Sequence, residues 1–406
     1  MSAQHAGRIT RRRLLVAAGG GVLALGGGAA LLGGRGGSAE AVPPVAPDPG
    51  GRPELQHHWN ALLRADRFGN RAAPRRQRLL HLRLAGEPSV AGAARLENAL
   101  RAVEASAPAG PEGVLVLVGW AAPWFAAIGR PSPVPAPTPL SDVEAPELDD
   151  HVACIHLASD RAERLDAAER LLRAGIGAPF ELADRRDGFV GEGLPRRLGR
   201  GANGLPANQP PREAPLFMGF SSAHRRNQAT EEDVTIPDGP WAGATTMHVS
   251  VIALALSSWY HALDERGRAQ RMFAPQVSLE EAKRPGPGID PPTDVEATAR
   301  RHGFVGHAQA VAVVRRNGRP IILRRDFNGL DGRQPLVHFV SLQRDIADFV
   351  ATRRAMDAPQ AVAAHPGITP QVNNGINEWL SVRRRANYLV PPRSRRSCPG
   401  LVGWDA

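Results

Sequence analysis

The chain has 406 residues, which suits about two domains, and its 42% hydrophobic and 22% charged residues are typical of a globular protein. The formal net charge is +10, but Lys283 is the only lysine and five arginines fall within residues 1–41, so the excess does not imply a nucleic-acid partner. Aromatic residues make up only 5%, which argues against a channel that stacks single-stranded nucleic acid.

Residues 1–41 have the features of an export signal. Three arginines open the apolar run Thr10–Val16, a glycine-rich apolar stretch covers Leu14–Leu32, and Ala39 to Ala41 forms a small-x-small cleavage pattern. This predicts a twin-arginine signal, followed by a Pro/Gly-rich tether over 42–54, and hence an extracellular or cell-envelope location. A membrane anchor is the alternative, but so many glycines make a poor spanning helix, and no later stretch is apolar for 18 residues.

The region 55–205 is predicted to form a first domain of strands and amphipathic helices. Its strands are Val114–Trp120 and Val152–Ala158, with a helix before them marked by Leu96, Leu100 and Val103. A second helix is predicted after Ser159, which is a candidate N-cap. The proline-rich run Leu205–Pro215 indicates the boundary to a second domain over 206–398.

The second region shows the same mixture of elements. Met247–Leu256 and Leu336–Leu342 are strand-like, Ile346, Phe349 and Val350 mark a helix, and Ser278 with Glu281 resembles a capping box. Strands and helices do not alternate as regularly as in a doubly wound sheet. The pattern therefore favours an α+β protein made of two similar sandwiches.

Two other sequence features, a pair of cysteines and a glycine-rich motif, give little information about function. Export makes a disulfide between Cys154 and Cys398 possible, but Cys154 lies in an apolar strand-like run, which favours two buried thiols. Gly199, Gly201 and Gly204 match the dinucleotide-binding GxGxxG pattern, yet neither a strand before them nor a helix after them is predicted. They are interpreted as a glycine loop.

Several segments of the second region resemble dye-decolourising (DyP-type) haem peroxidases. Pro215–Ala223 is similar to their GFxDG segment, and Gly306–Gln309 with Pro320–Asn328 is similar to their proximal-histidine and distal-arginine segments. The further similar segments are Pro240–Val249, Leu336–Gln343 and Asn377–Pro392, with weaker echoes at Gly113–Phe125 and Leu148–Asp160. The resemblance implies two ferredoxin-like domains in a dimeric α+β barrel-like arrangement, with haem b held by the second domain, and a possible homo-oligomer.

The resemblance also implies a role for four residues. His307 matches the proximal histidine that ligates the iron, and Glu378 falls where the family has the carboxylate partner of that histidine, although a solvated carboxylate is an equal alternative. Arg324 matches the distal arginine, and Arg325 is a candidate partner for a haem propionate. If this segment is a strand, the two arginines point to opposite faces and only one lines the pocket.

The chain departs from the family at its acid. The aspartate of GFxDG, which moves the peroxide proton, is replaced by Ser222, and serine does not exchange a proton readily near neutral pH. Arg324 with an ordered water is one substitute, and Glu192 or Asp326 is another. The sequence thus predicts an exported peroxidase that oxidises bulky organic donors with hydrogen peroxide. The alternatives are a haem-binding protein for capture, storage or sensing, and a haem-free scaffold.

Overall fold

The computed structural model describes residues 40–221, 224–284 and 286–401, and the described residues from Ala41 onward form one compact unit. The predicted twin-arginine run and its apolar stretch lie outside the described residues. Within the described part, none of the helices is long and apolar enough to cross a membrane. The strands are β1 (Arg76–Leu84), β2 (Leu115–Trp120), β3 (Glu147–Leu148), β4 (Ala153–Ser159), β5 (Phe180–Phe189), β6 (Thr245–Leu254), β7 (Arg315–Arg316), β8 (Arg319–Pro320), β9 (Leu323–Arg324), β10 (Phe327–Asp331), β11 (Gln334–Gln343) and β12 (Leu380–Val390). The helices are α1 (Val90–Ala105), α2 (Ala122–Ala127), α3 (Ala162–Gly175), α4 (Leu194–Leu198), α5 (Glu231–Val234), α6 (Leu256–His261), α7 (Glu265–Met272), α8 (Leu279–Lys283), α9 (Val295–His302), α10 (His307–Ala312), α11 (Ile346–Ala355) and α12 (Pro359–Ala364).

The first half of the chain is a four-stranded antiparallel sheet covered by two helices. Its strands have the spatial order β5-β1-β4-β2, with α1 between β1 and β2 and α3 between β4 and β5. The apolar positions of α1, including Leu96 and Leu100, pack with Leu165 of α3 on the outer face of this sheet. Residues at helical spacing thus form one continuous core under both helices, as expected for an amphipathic pair.

The second half repeats this topology. Its main strands have the order β12-β6-β11-β10, so the first, second, third and fourth strands of each half take equivalent places. Helix α11 connects β11 to β12 and packs on β6 and β11. Each half is therefore a ferredoxin-like unit with the arrangement strand-helix-strand-strand-helix-strand.

The two sheets join at both edges. Strand β2 pairs with β12 through Trp120 and Leu389, and β5 pairs with β10 through Phe189 and Asn328. Because β10 also pairs with β11, these contacts close a barrel whose apolar interior receives side chains from both halves. The α+β fold with two ferredoxin-like halves in a barrel-like arrangement is confirmed, whereas the predicted domain boundary stays a prediction.

Several local predictions can be compared with the structure. The capping box of Ser278 and Glu281 is present, and Cys154 and Cys398 are both free and buried. The N-cap prediction for Ser159 is wrong, because Ser159 still belongs to β4 and Arg161 is the N-cap residue of α3. The Ser159 hydroxyl donates to the carbonyl of Gly113 and accepts from the amide of Arg161.

A candidate haem-type cavity

A large cavity lies on the outer face of the second sheet. Its volume is about 640 Å³, which is in the range of about 300–1,000 Å³ that ligand pockets occupy. The sheet contributes Ile252 of β6, Val337 and Phe339 of β11 and Leu380 of β12. Helices α10 and α11 and the loop over residues 216–221 form the other walls. The cavity thus has apolar walls, and polar or charged side chains make up sixteen of its forty lining residues.

His307 lines this cavity. It is the first residue of α10, and the segment before it forms a parallel bridge between Val305 and Asn374. Gly375, at a φ of +54°, lies so close that a Cβ there would be 2.8 Å from the Cα of His307. The backbone of His307 is therefore held tightly between two chain segments, which fixes the direction of its side chain.

The electrostatic surroundings keep the His307 imidazole neutral. Burial lowers its pKa to about 4, and the positive charges of Arg324 and Arg353 contribute in the same direction. A neutral imidazole has the lone pair that a metal ion requires. His307 can therefore act as a ligand at neutral pH, and Arg324 lines the same cavity.

Arg324 lies in β9 and also lines the cavity. Its Nη2 donates to the carbonyl of Asn227 at 2.8 Å, and its amide donates to the side chain of Gln228 at 2.7 Å. Burial lowers the pKa of Arg324, but the charge of Asp326 opposes this effect, and arginine stays charged near neutral pH. Asp326 lines the cavity as well, since residues two apart in an extended segment share a face.

Arg325 points away from the cavity, as the strand alternation predicted. Its Nη2 lies 2.6 Å from the carboxylate of Glu231 and its guanidinium lies over the ring of Trp59. Both partners of this ion pair are nearly buried, with side-chain exposures of 9% and 5%. The geometry supports a structural role for Arg325 between the two halves and does not favour its predicted contact with a propionate.

The other predicted residues have different positions. Glu378 is exposed on a short 3₁₀ turn, whereas its neighbours Asn377 and Trp379 are buried, and within the described residues no hydrogen bond joins Glu378 to His307. Glu192 is also exposed. Ser222 lies outside the described residues, but Ser221 before it lines the cavity. Of the two acids that were considered as substitutes, only Asp326 is among the described lining residues.

The sequence did not indicate that arginines of α11 and β12 also line the cavity. The Nη2 of Arg385 donates to both carboxylate oxygens of Glu144 at 2.8 Å, and Arg353 contacts the same carboxylate at 3.3 Å. Arg383 is exposed, lines the cavity and has no ion pair among the described residues. The run of three arginines in β12 was a visible signal, but only strand alternation and the fold show which of them borders the cavity.

Comparison with solved structures supports the fold. A dye-decolorizing protein from V. cholerae has a TM-score of 0.56 at 14% identity, and the match covers 83% of this chain and 98% of that chain. A variant of DypB from Rhodococcus jostii RHA1 in complex with heme has a TM-score of 0.56 at 16% identity, covering 80% and 96%. At these identities the likeness shows a DyP-type peroxidase fold and leaves the activity to be tested.

No curated protein matches the chain. A family model, described as a family of unknown function (DUF7405), matches residues 74–392, which includes both ferredoxin-like halves and the cavity. Because this match covers most of the chain, the protein belongs to the family of unknown function DUF7405.

Proposed function

We propose that this protein is a haem-dependent peroxidase of the dye-decolourising type that oxidises bulky organic donors with hydrogen peroxide. The observation that carries the proposal is a cavity with apolar walls that is lined by both a neutral imidazole, His307, and a hydrogen-bonded guanidinium, Arg324. The peroxidase-like fold and the neighbouring DypB complex with heme support the same function. Each peroxide takes up two electrons and two protons from donor molecules and leaves as two waters.

The cavity fits a haem in its size and in its donors. His307 would offer an imidazole nitrogen to the iron, and the apolar side chains of the sheet, including Ile252 and Phe339, would pack against the macrocycle. Arg383 lacks an ion-pair partner among the described residues and replaces Arg325 as the candidate for a propionate. When bound, haem supplies the redox-active iron that the side chains of this chain lack.

The proton chemistry is assigned to Asp326 with Arg324. Peroxide that enters the cavity must lose a proton from one oxygen and gain one on the other before the O–O bond breaks. The carboxylate of Asp326 can accept the first proton and return it, and the Arg324 guanidinium stabilises negative charge on the leaving oxygen. Asp326 thereby takes the part that Ser222 cannot perform.

Rapid-mixing kinetics with hydrogen peroxide tests this assignment. Asp326→Asn is expected to slow the peroxide step about 10²- to 10⁴-fold, which is the usual contribution of a general acid–base group. Arg324→Leu is expected to slow it about 10²- to 10³-fold, as removal of a charge-stabilising donor does. Glu192→Gln is the matched control, since this carboxylate is exposed, and its rate should equal that of the wild type.

The same experiment separates the peroxidase from a haem carrier. If Asp326→Asn and Arg324→Leu both keep their haem and both react with peroxide as slowly as the wild type, the cavity binds haem without turnover. If Ser222→Asp reacts with peroxide faster than the wild type, Asp326 does not replace the missing acid. The proposal expects little change from Ser222→Asp.

We also propose export by the twin-arginine route, which rests on the arginines and the glycine-rich apolar stretch of residues 1–41. Replacing Arg11 and Arg12 together by lysine should block export and retain the folded protein inside the cell. Cell fractionation with an immunoblot measures this, and normal export of the double variant would contradict the route.

A further inference from the structure

A second group of candidate ligands lies inside the barrel, away from the cavity. His81 in the middle of β1 shares the interior face of that strand with Leu79, and Asp149 and His151 lie in the short connection between β3 and β4. One ligand atom from each of the three residues lies within 4.8 Å of the others. None of the three lines the haem-type cavity, which is on the outer face of the sheet.

The two histidines have polar atoms that their surroundings leave without hydrogen bonds. Nε2 of His81 and Nδ1 of His151 are buried and have no hydrogen-bond partner, and His81 is fully buried. Asp149 differs, because its Oδ2 lies 2.9 Å from Nη1 of Arg186 and its Oδ1 accepts from Arg186 and Arg384 at 3.1 and 3.0 Å. A metal ion would share this carboxylate with the two guanidiniums. Buried polar atoms without a partner cost about 1–3 kcal/mol each, so two such nitrogens with a carboxylate within ligand distance indicate a binding site.

The orientation of His81 is also that of a metal ligand. Its Nδ1 is 3.2 Å from the hydroxyl of Tyr388, which leaves Nε2 available. The imidazole rings of His81 and His151 have a centroid distance of 4.8 Å. Metal-binding histidines commonly donate the second ring nitrogen to an outer partner, which fixes the tautomer. Tyr388 occupies this position for His81.

The local charge leaves room for a cation. Arg186 contacts both Asp149 and Asp184, and Arg384 contacts Asp149 and Glu147, so two guanidiniums face three carboxylates. The carboxylates exceed the guanidiniums by one, and the two outer ones, Asp184 and Glu147, are more exposed than Asp149. A divalent ion at this point would therefore not meet a net positive environment.

We propose that His81, Asp149 and His151 form a binding site for a divalent first-row transition metal, with zinc as the reference ion. Two imidazoles and one carboxylate are a common ligand set for zinc and for iron(II), and they leave one or more positions for water. Ligand atoms around a tetrahedral zinc are about 3.3 Å apart for bonds near 2.0–2.1 Å. Side-chain rotations must therefore bring the three donors closer by up to about 1.5 Å, which the half-buried His151 allows.

Equilibrium dialysis of the full chain against zinc chloride, followed by elemental analysis, tests the site. The wild type should bind one zinc per chain. The affinity of His151→Ala for zinc should be at least about 100-fold weaker, because loss of an outer partner already costs up to about 100-fold. Tyr388→Phe should weaken binding about 10- to 100-fold while preserving the packed ring. His58→Ala removes another half-buried histidine and should retain the zinc. His307→Ala should also retain it, because that residue lines the other cavity.

Thermal unfolding with and without zinc gives a second readout, because a ligand that binds only the folded state raises the melting temperature. The wild type and His58→Ala should be stabilised by zinc, whereas His151→Ala should not. Equal zinc content in the wild type and in folded His151→Ala, or no zinc in the wild type, would overturn the proposal.

Discussion

The two halves of the chain have the same strand order and differ in what covers their sheets. In the first half, residues 85–114 connect the first two strands with one long helix, α1, whose leucines fill the space above the sheet. In the second half, residues 255–326 occupy the equivalent connection and form five helices of at most eight residues, α6 to α10, within the part that the structure describes. The same topology thus yields a filled core in one half and a cavity in the other.

This difference explains where the cavity is found. A continuous amphipathic helix buries its apolar stripe directly on a sheet and leaves no space for a ligand. Several short helices cannot cover the same area as one rigid rod, and their ends bring polar groups such as His307 to the sheet. A repeated fold can therefore fill the outer face of one sheet with a core and keep a cavity on the outer face of the other.

Matched leucine truncations should separate the two halves most strongly. Leu100 is fully buried in the first half, and Leu100→Ala should lower the free energy of unfolding by about 2–5 kcal/mol. Leu380 is half-buried and faces the cavity, so Leu380→Ala should cost only about 1 kcal/mol, since fewer of its methyl groups leave a packed environment. Urea unfolding of the haem-free proteins measures both values, and equal losses would contradict the distinction between a filled and a hollow half.

A glycine substitution beside His307 should change the free energy of haem binding by less than Leu100→Ala changes the free energy of unfolding. In Gly375→Ala the new Cβ meets the backbone of His307 at 2.8 Å, so the imidazole moves and haem affinity should fall at least about tenfold, or about 1.4 kcal/mol. Gly318→Ala is the control, because Gly318 also has a positive φ, of +73°, but a Cβ added there would have no atom within 4 Å. Haem titration that gives the same affinity for both variants would show that the close contact does not position His307.

Much of this architecture was visible in the sequence, and the exceptions have physical causes. The apolar strands β2, β4, β6 and β11 were recognised from continuous hydrophobic runs. In contrast, β1, β5 and β12 carry arginines at positions that pair with acids across the structure, as Arg78 does with Glu169, so their apolar alternation is interrupted. Ion pairs between distant segments cannot be read from local periodicity.

The site was predictable in part for a similar reason. The positions of His307 and Arg324 followed from the family resemblance, and the opposite directions of Arg324 and Arg325 followed from strand geometry. The exposure of Glu378 depends on the phase of a 3₁₀ turn of three residues, which no sequence pattern fixes. The presence of Asp326 in the cavity depends on how β9 pairs with β11, which is a tertiary contact.

A pH series should give the smallest of these effects. The pKa of His307 is lowered to about 4 in the folded protein, against an ordinary value of 6.5, so the unfolded chain binds more protons between these values. Stability from this residue is therefore complete above pH 6.5 and is lost as the pH falls toward 4. From pH 6 to pH 5 the wild type should lose about 1 kcal/mol more than His307→Gln, as measured by urea unfolding. Equal losses in the two proteins would mean that His307 is not buried in its neutral form.

The most direct measurement is the visible absorption spectrum during haem titration of the wild type, His307→Ala and His302→Ala. His302 is an exposed histidine of α9 and serves as the control. The wild type and the control should bind one haem per chain and give a sharp Soret band with the signature of a histidine ligand. His307→Ala should lose this band or bind haem far more weakly. An unchanged Soret band and axial-ligand signature in a folded His307→Ala protein would contradict the central claim that this cavity holds haem through His307.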